Sequence, residues 1–182
     1  MNKKLKIKNN ASSLLPSEWV KNNLSISNSE LNLLDLACGN GRHSIYAASI
    51  GYKVTSIDIN KNVLLEIQNK EFIIPIQLDL EKNNIWPLKN KKFDVVIITN
   101  YLYRPIFKNI IKSMKPNGKL IYETFTEENS AFGKPNNKNY LLRPQELLKF
   151  SRNNRLEIIS YEEIILEKPI KKAVQRIFSI LK

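Results

Sequence analysis

The sequence predicts a doubly wound α/β domain: a seven-stranded, mostly parallel sheet with helices on both faces and an antiparallel hairpin at its C-terminal end. Three observations predict it. Short β-branched runs alternate with helical stretches along the chain, which is the pattern of βαβ units. A glycine turn, Cys38-Gly39-Asn40-Gly41, separates the first β-rich run from the first long helical one. The last two β-rich runs are joined by only about Glu167–Lys172, too short for a crossover helix, so they must pair antiparallel.

In chain order, the predicted strands are Leu31–Ala37, Lys53–Asp58, Ile74–Leu80, Phe93–Asn100 and Lys119–Phe125, followed by Leu156–Leu166 and Ala173–Leu181. Their content of Ile, Val and Leu suits strands covered on both faces. Predicted helices span Gly41–Ile50, Asn60–Lys70, Arg104–Met114 and Pro144–Asn153, the last opening on a proline at a helix start. Lys115–Gly118 (KPNG) ends the third helix and turns the chain into the next strand. Asn83–Lys92 contains Trp86-Pro87 and is weakly helical at best. Thr126–Leu142 reads as a long polar loop, and loops of that length in compact domains are often binding lids. Residues 1–30 form an N-terminal segment ahead of a single domain at 31–182.

A chain of 182 residues has room for one domain and no separate substrate domain. At 42% hydrophobic and 9% aromatic residues it has a globular composition. No apolar run reaches membrane-spanning length, and the basic start MNKKLKIKNN lacks the apolar core of a signal peptide, so a cytoplasmic protein without a membrane partner is expected. Cys38 has no second cysteine to pair with, and a single histidine and a single cysteine argue against a zinc site. The formal charge of +12 suits a polyanionic partner, but 23 of the 29 basic residues are lysines scattered through the whole chain, as an AT-rich genome produces. Nucleic acid therefore stays an alternative partner, behind a small molecule; oligomeric state is not readable.

The chemistry concentrates at the predicted strand ends. Gly39 and Gly41 let the backbone turn sharply and let a ligand approach it, although the third glycine of a dinucleotide loop is replaced by Ser44. Asp35, beside this loop, would repel a pyrophosphate but suits a ligand bearing an ammonium and a sulfonium, which favours S-adenosylmethionine over NAD; the plainer reading is an acceptor for loop amides. Asp58 ends the second strand where α/β nucleotide sites hold ribose hydroxyls, and Asp79 ends the third where an adenine amino group can be met. Each aspartate alone also reads as a cap or turn residue. Asn100 ends the fourth strand and borders the same crevice, between cofactor and substrate, or simply turns the chain.

The glycine loop, the spacing of Asp58 and Asp79, and MKPNGKLIYETF resemble class I S-adenosylmethionine-dependent methyltransferases, with a Rossmann-like fold, across nearly the whole chain. DLACGNGRH, TNYLYRP, YETF and NYLLRPQELL are most similar to small bacterial tellurite-resistance-type methyltransferases. The resemblance implies S-adenosylmethionine as cofactor, with Asp35, Gly39 and Gly41 holding the methionine part, Asp58 the ribose and Asp79 the adenine; Ala37, Asn40, Ile59, Leu80 and Asn100 are further cofactor-binding candidates. Ala37 departs from the glycine many members carry. TNYL is not the Asn-Pro-Pro-aromatic motif of amino-group methyltransferases, which weakens nucleic-acid and glutamine acceptors. An RNA or protein methyltransferase, a basic nucleic-acid-binding module on the same fold, and a nicotinamide-dependent oxidoreductase remain as alternatives.

Methyl transfer needs the acceptor aligned with the methyl group more than it needs a strong base. If a base acts, Glu123 in IYETF is the first candidate; its alternative role is to pair with Arg104 or Arg143, which could themselves hold a substrate carboxylate or phosphate. Asn100 is the second catalytic candidate. Tyr101, Tyr103, Phe125, Phe132 and Tyr140 either wall the substrate or fill core. Trp19 either covers the cofactor or packs, His43 reads as structural, and Cys38 as a small loop residue whose thiol the neighbouring helix N-terminus could acidify.

Overall fold

The structure is a computed structural model, and it describes residues 15–27, 31–82, 86, 88 and 90–182. Residues 1–14 and 28–30 of the expected N-terminal segment, and residues 83–85, 87 and 89 of the weakly helical stretch, lie outside the described part. The strands are β1 (Asn32–Leu36), β2 (Lys53–Asp58), β3 (Ile73–Gln77), β4 (Phe93–Thr99), β5 (Met114–Phe125), β6 (Leu156–Leu166) and β7 (Lys172–Leu181). The helices are α1 (Glu18–Asn23), α2 (Arg42–Ser49), α3 (Lys61–Leu65), α4 (Phe107–Lys112) and α5 (Glu146–Asn153).

One sheet runs in the order β3-β2-β1-β4-β5-β7-β6. Its first five strands are parallel, and β7 is antiparallel to both β5 and β6, the β6–β7 pairing being the one the short Glu167–Lys172 connection requires. Alternate residues sort cleanly between the two faces. Leu33, Val95, Ile97 and Ile121 pack with α1, α2 and α3, while Leu34, Leu36, Val96, Ile98 and Leu120 pack with α4 and α5. That division explains the continuous apolar runs: each residue of a central strand meets a helix layer whichever way it points.

Strand order reverses between β1 and β4, where the chain stops adding strands on one side and crosses to the other. Diverging connections open a crevice at the carboxyl ends of those strands. Asp35 lies opposite Ile97 in this pair, which puts it beside the crevice.

Several expected boundaries move. β3 ends at Gln77, so Asp79 stands in the following turn and not at the strand end; β4 ends at Thr99, with Asn100 just beyond. The third expected helix opens as a 3-10 turn at Arg104–Ile106 and is α-helical only at Phe107–Lys112. The helix after β2 is helical only at Lys61–Leu65. α5 starts at Glu146, after Gln145 in left-handed conformation, and not at Pro144. KPNG is not a separator ahead of the strand: β5 already pairs through Met114 with Phe93, and the ladder shifts register before Val95 meets Lys119. Asn117 takes a positive φ of 62° in that irregularity, and a Cβ on Gly118 would stand 2.8 Å from the Lys115 carbonyl oxygen.

Thr126–Leu142 is an ordered excursion with a fastened base. Thr126 bridges Leu142, the Glu127 amide donates to the Leu142 carbonyl at 3.0 Å, and the buried Asn129 side chain accepts from the Ala173 amide and donates to the Pro135 carbonyl. Two short 3-10 turns, Glu127–Ala131 and Lys138–Tyr140, occupy its interior.

Candidate functional site

The turn after β1 is built from left-handed backbone. Ala37, Gly39 and Gly41 have φ of 53°, 55° and 72°, so Ala37 carries a strain that glycine would relieve. The Cys38 amide donates to the Ile57 carbonyl, stitching this turn to β2. A Cβ on Gly41 would approach Ile67 to 2.7 Å, whereas one on Gly39 would meet nothing within 4 Å. Gly41 is thus required by packing under α2, and Gly39 leaves open space above the backbone.

Asp35 is fully buried on the α2 side of the sheet. Its Oδ2 accepts the Ser44 hydroxyl at 2.6 Å, and Ser44 in turn accepts from Ser56 at 2.7 Å, while Oδ1 has no partner. Burial pushes the carboxyl up to about 7, against the opposing pull of the Ser44 hydrogen bond and the Arg42 charge. The Ser44 backbone amide acts on the carboxylate in the same direction as its hydroxyl, so Asp35 serves the first turn of α2 as an acceptor. Sequence reading registered Ser44 only as a missing glycine; its first-turn position in the helix following Asp35 was the available signal. Cys38 is buried as well, and burial with the nearby Asp35 and Asp58 charges pushes its thiol up, so the expected acidification by the helix end is overturned.

Asp58 joins the glycine loop to the turn after β2. Oδ2 accepts the Gly39 amide at 2.8 Å and Oδ1 accepts the Asn60 amide at 2.9 Å. Each oxygen retains a second lone pair. Ile59 beside it is 59% exposed, an uncovered apolar side chain at the crevice edge. Asp79 forms a turn of its own, accepting the Glu81 amide at 2.9 Å with Lys82 3.6 Å away, and Leu80 is partly buried against the core of the α4 face.

Three features therefore fit S-adenosylmethionine: an open approach over Gly39, acceptor capacity left on Asp58, and a buried unpartnered oxygen on Asp35. Asn100, exposed and at φ 55°, donates its amide to the Glu123 carbonyl at 2.9 Å, which ties the tips of β4 and β5 together.

His43 and Glu123 organise the neighbouring edge. The Ser17 amide, at the N-cap of α1, donates to His43 Nε2 at 3.2 Å, so the ring's own hydrogen sits on Nδ1, 3.2 Å from Thr99 Oγ1. Burial holds the imidazole down at about 3, with the Arg42 and Lys172 charges acting in the same direction. Glu123 is buried, and its partners are Lys172 at 3.0 Å and Arg176 at 3.8 Å, not Arg104 or Arg143. Arg176 lies opposite Glu123 in the β5–β7 ladder, so the antiparallel C-terminal pair delivers the cation. Trp19 is buried with its ring 4.8 Å from that guanidinium and its indole N–H donating to the Ile177 carbonyl. Lys172 and Arg176 were not singled out from sequence, because only strand register brings them to Glu123.

After β4 the chain lines a cleft of about 290 Å³ with Leu102, Tyr103, Arg104, Pro105, Glu81, Asn139 and Tyr140. Tyr103 and Tyr140, far apart in sequence, meet there. Arg104 does not extend a free fork into it: Nε and Nη2 bind Glu146 at 2.6 and 2.8 Å, Nη2 also donates to the Leu141 carbonyl, and Nη1 to that of Asn139. Arg143 is exposed and contributes its amide to Glu146 and its carbonyl to Gln175. Tyr101 buries a hydroxyl without a partner; desolvation, then Glu81, Tyr103, Asp79 and Tyr140, push it up. Phe125 and Phe132 are each covered by a lysine, Lys172 at 5.8 Å and Lys171 at 5.2 Å. No helix among the described residues is long and apolar enough to cross a membrane.

A family described as a methyltransferase domain matches residues 27–178. The probable S-adenosyl-L-methionine-dependent methyltransferase TehB of Haemophilus influenzae is 37% identical over 95 residues, covering 48% of this chain and 32% of that protein. The putative methyltransferase YqeM of Bacillus subtilis is 33% identical over 104 residues, covering 50% of this chain and 41% of that protein. The chain thus matches less than half the length of either relative. The crystal structure of Haemophilus influenzae TehB superposes with a TM-score of 0.68 at 24% identity, covering 85% of this chain and 59% of that one, which shows a shared fold.

Proposed function

The chain belongs to the methyltransferase-domain family, and from that premise we propose that it transfers a methyl group from S-adenosylmethionine to a small-molecule acceptor. The observation that carries this reading is the paired acid arrangement at the switch point. Asp58 braces the glycine loop while keeping acceptor capacity, and Asp35 offers a buried unpartnered oxygen next to it. Such a surface suits a ligand with donors on its ribose and a positive charge on its amino-acid part. It does not suit a pyrophosphate, which two carboxylates would repel.

When bound, the cofactor supplies an electrophilic methyl on a good leaving group. The chain's work is then positional. Asp58 takes the ribose hydroxyls; Asp35, Gly39 and the backbone of Ala37, Asn40 and Gly41 face the methionine part; Ile59, Asp79, Leu80 and Asn100 flank the adenine. Tyr101, Tyr103 and Tyr140 wall the acceptor, and Phe125 and Phe132 are assigned to the substrate side with them. Glu123, paired with Lys172 and Arg176, ties β5 to β7 through its side chain and acts as a scaffold and not as a free base. Arg104 and Arg143 position the loop through Glu146.

Incubation with isotopically labelled methyl donor and fractions of small metabolites and RNA tests the proposal. Label is expected in a small-molecule fraction; label in RNA alone moves the acceptor to nucleic acid, which the charge of +12 makes the second reading. Absence of S-adenosylhomocysteine binding by calorimetry would defeat the enzyme reading altogether.

A further inference from the structure

On the α4 side of the sheet a second cavity, of about 250 Å³, opens below the turn that carries Asp79. Leu78, Leu80, Trp86 and Ile106 make it apolar inside, and Trp86 and Ile106 are buried. The Trp86 indole is fixed by a 2.8 Å hydrogen bond from Nε1 to Ser113, so the ring offers a rigid apolar wall. Around the opening stand Lys82, Lys108 and Lys112, with Asn109 between the last two.

The charge at this opening is poorly compensated. Lys108 and Lys112 are one helical turn apart on α4, so both project toward the same opening and repel each other. Among the described residues neither has a carboxylate partner. Only Lys82 has an acid nearby, Asp79 at 3.6 Å. Lysines clustered over an apolar interior are matched by a ligand that brings an anion and an apolar body together. The cavity is smaller than the ~300–1,000 Å³ common for drug-sized ligands, which points to a molecule smaller than a nucleotide.

We propose that this cavity binds a small organic oxyanion, a phosphate or carboxylate carried on a compact apolar or aromatic body. The oxyanion sits among Lys82, Lys108 and Lys112; the body rests on Leu80, Trp86 and Ile106. Asp35, Gly39 and Asp58 do not line the cavity, whereas Leu80 and Tyr103 do, so the site adjoins the proposed cofactor and acceptor region while its lysines lie outside it. Tyr103 and Pro105 border both this cavity and the 290 Å³ cleft, so the two sites share a wall.

Trp86 supplies a local readout. In a Trp19→Phe background it is the only indole of the chain, and its emission is titrated with 4-nitrophenyl phosphate and, in parallel, 4-nitrobenzoate; 4-nitrobenzyl alcohol is the uncharged control. We expect saturable quenching by at least one anion, half-saturation at least tenfold weaker for the alcohol, and a tenfold or greater weakening in the Lys108→Gln/Lys112→Gln variant. The matching Lys→Arg pair should restore binding to within threefold. S-adenosylhomocysteine titration and the melting temperature, unchanged in the variants, confirm that the fold is intact. Failure of both anions to saturate the wild-type lysine set, or equal affinity for the alcohol or for the Gln pair, overturns the proposal. Binding of an oligonucleotide that depends on the lysine pair while neither small anion binds also overturns it, in favour of a nucleic-acid surface.

Discussion

The backbone amide of Gly39 donates to Asp58 Oδ2 at 2.8 Å, so the tip of β2 holds the turn that follows β1. One carboxylate thereby does two things: it fixes a left-handed glycine and keeps lone pairs directed toward the crevice.

Replacing Asp58 with alanine removes both functions. Affinity for S-adenosylhomocysteine is expected to fall by about 1–3 kcal/mol, the usual cost of leaving buried or ligand donors poorly paired. Calorimetric titration at constant pH measures it, and an unchanged dissociation constant removes Asp58 from the site.

Asp35 and His43 are predicted to tilt the stability profile in opposite directions. The Asp35 carboxyl is raised from 3.8 to about 7, so its contribution is fully present below pH 3.8 and is lost as pH rises to 7. The His43 imidazole is lowered from 6.5 to about 3, so its contribution is present above pH 6.5 and is lost as pH falls toward 3. Both windows cover roughly pH 4–6.5, where the two slopes oppose each other. Melting temperatures across that range should be nearly flat for the wild-type pair, fall toward acid in Asp35→Asn and rise toward acid in His43→Gln. The same slope in both variants as in the parent contradicts this assignment.

Ionisation of Asp35 also bears on binding. If its free oxygen faces the ammonium of the cofactor, S-adenosylhomocysteine affinity should increase as pH passes upward through 7, and binding near that pH should release a proton. Calorimetry in buffers of different ionisation enthalpy counts the proton, and Asp35→Asn should abolish the release.

Ser44→Ala leaves Asp35 Oδ2 and the Ser56 hydroxyl without their shared partner in a fully buried place. A destabilisation of about 1–3 kcal/mol is expected from urea unfolding. A loss under a few tenths of that range would mean that Asp35 is held by something other than this hydroxyl chain.

Arg104→Lys keeps a charge but loses the planar fork that reaches Glu146 and the carbonyls of Asn139 and Leu141. Amide hydrogen exchange at residues 138–142 should accelerate, with stability reduced by roughly 1–2 kcal/mol, discounted because the pair is partly exposed. An acceptor KM that rises while exchange there stays slow would instead place Arg104 on the substrate.

Strand number, parallel direction, the C-terminal hairpin and the glycine turn were all legible before any coordinates, because they rest on local periodicity and on connection length. Leu33 and Leu34 alternate between helix layers whatever else the chain does, and six residues cannot carry a crossover helix. Asp35, Asp58 and Asn100 were singled out as residues near strand ends, and they lie in β1, at the end of β2 and just beyond β4. Element ends were less legible: Asp79 falls outside β3 because its own side chain closes a turn with Glu81.

Residue order by itself determined the architecture and the family of this protein, since both follow from patterns repeated along the chain. Tertiary structure decided what each charge does. Glu123 reads from sequence as a base or as a partner for Arg104 or Arg143, and β7 brings it Lys172 and Arg176 instead, while the Arg104 fork meets Glu146 and two carbonyls. The physical reason is distance: the energy of a buried charge depends on partners tens of residues away, and only strand register and loop closure bring them within reach.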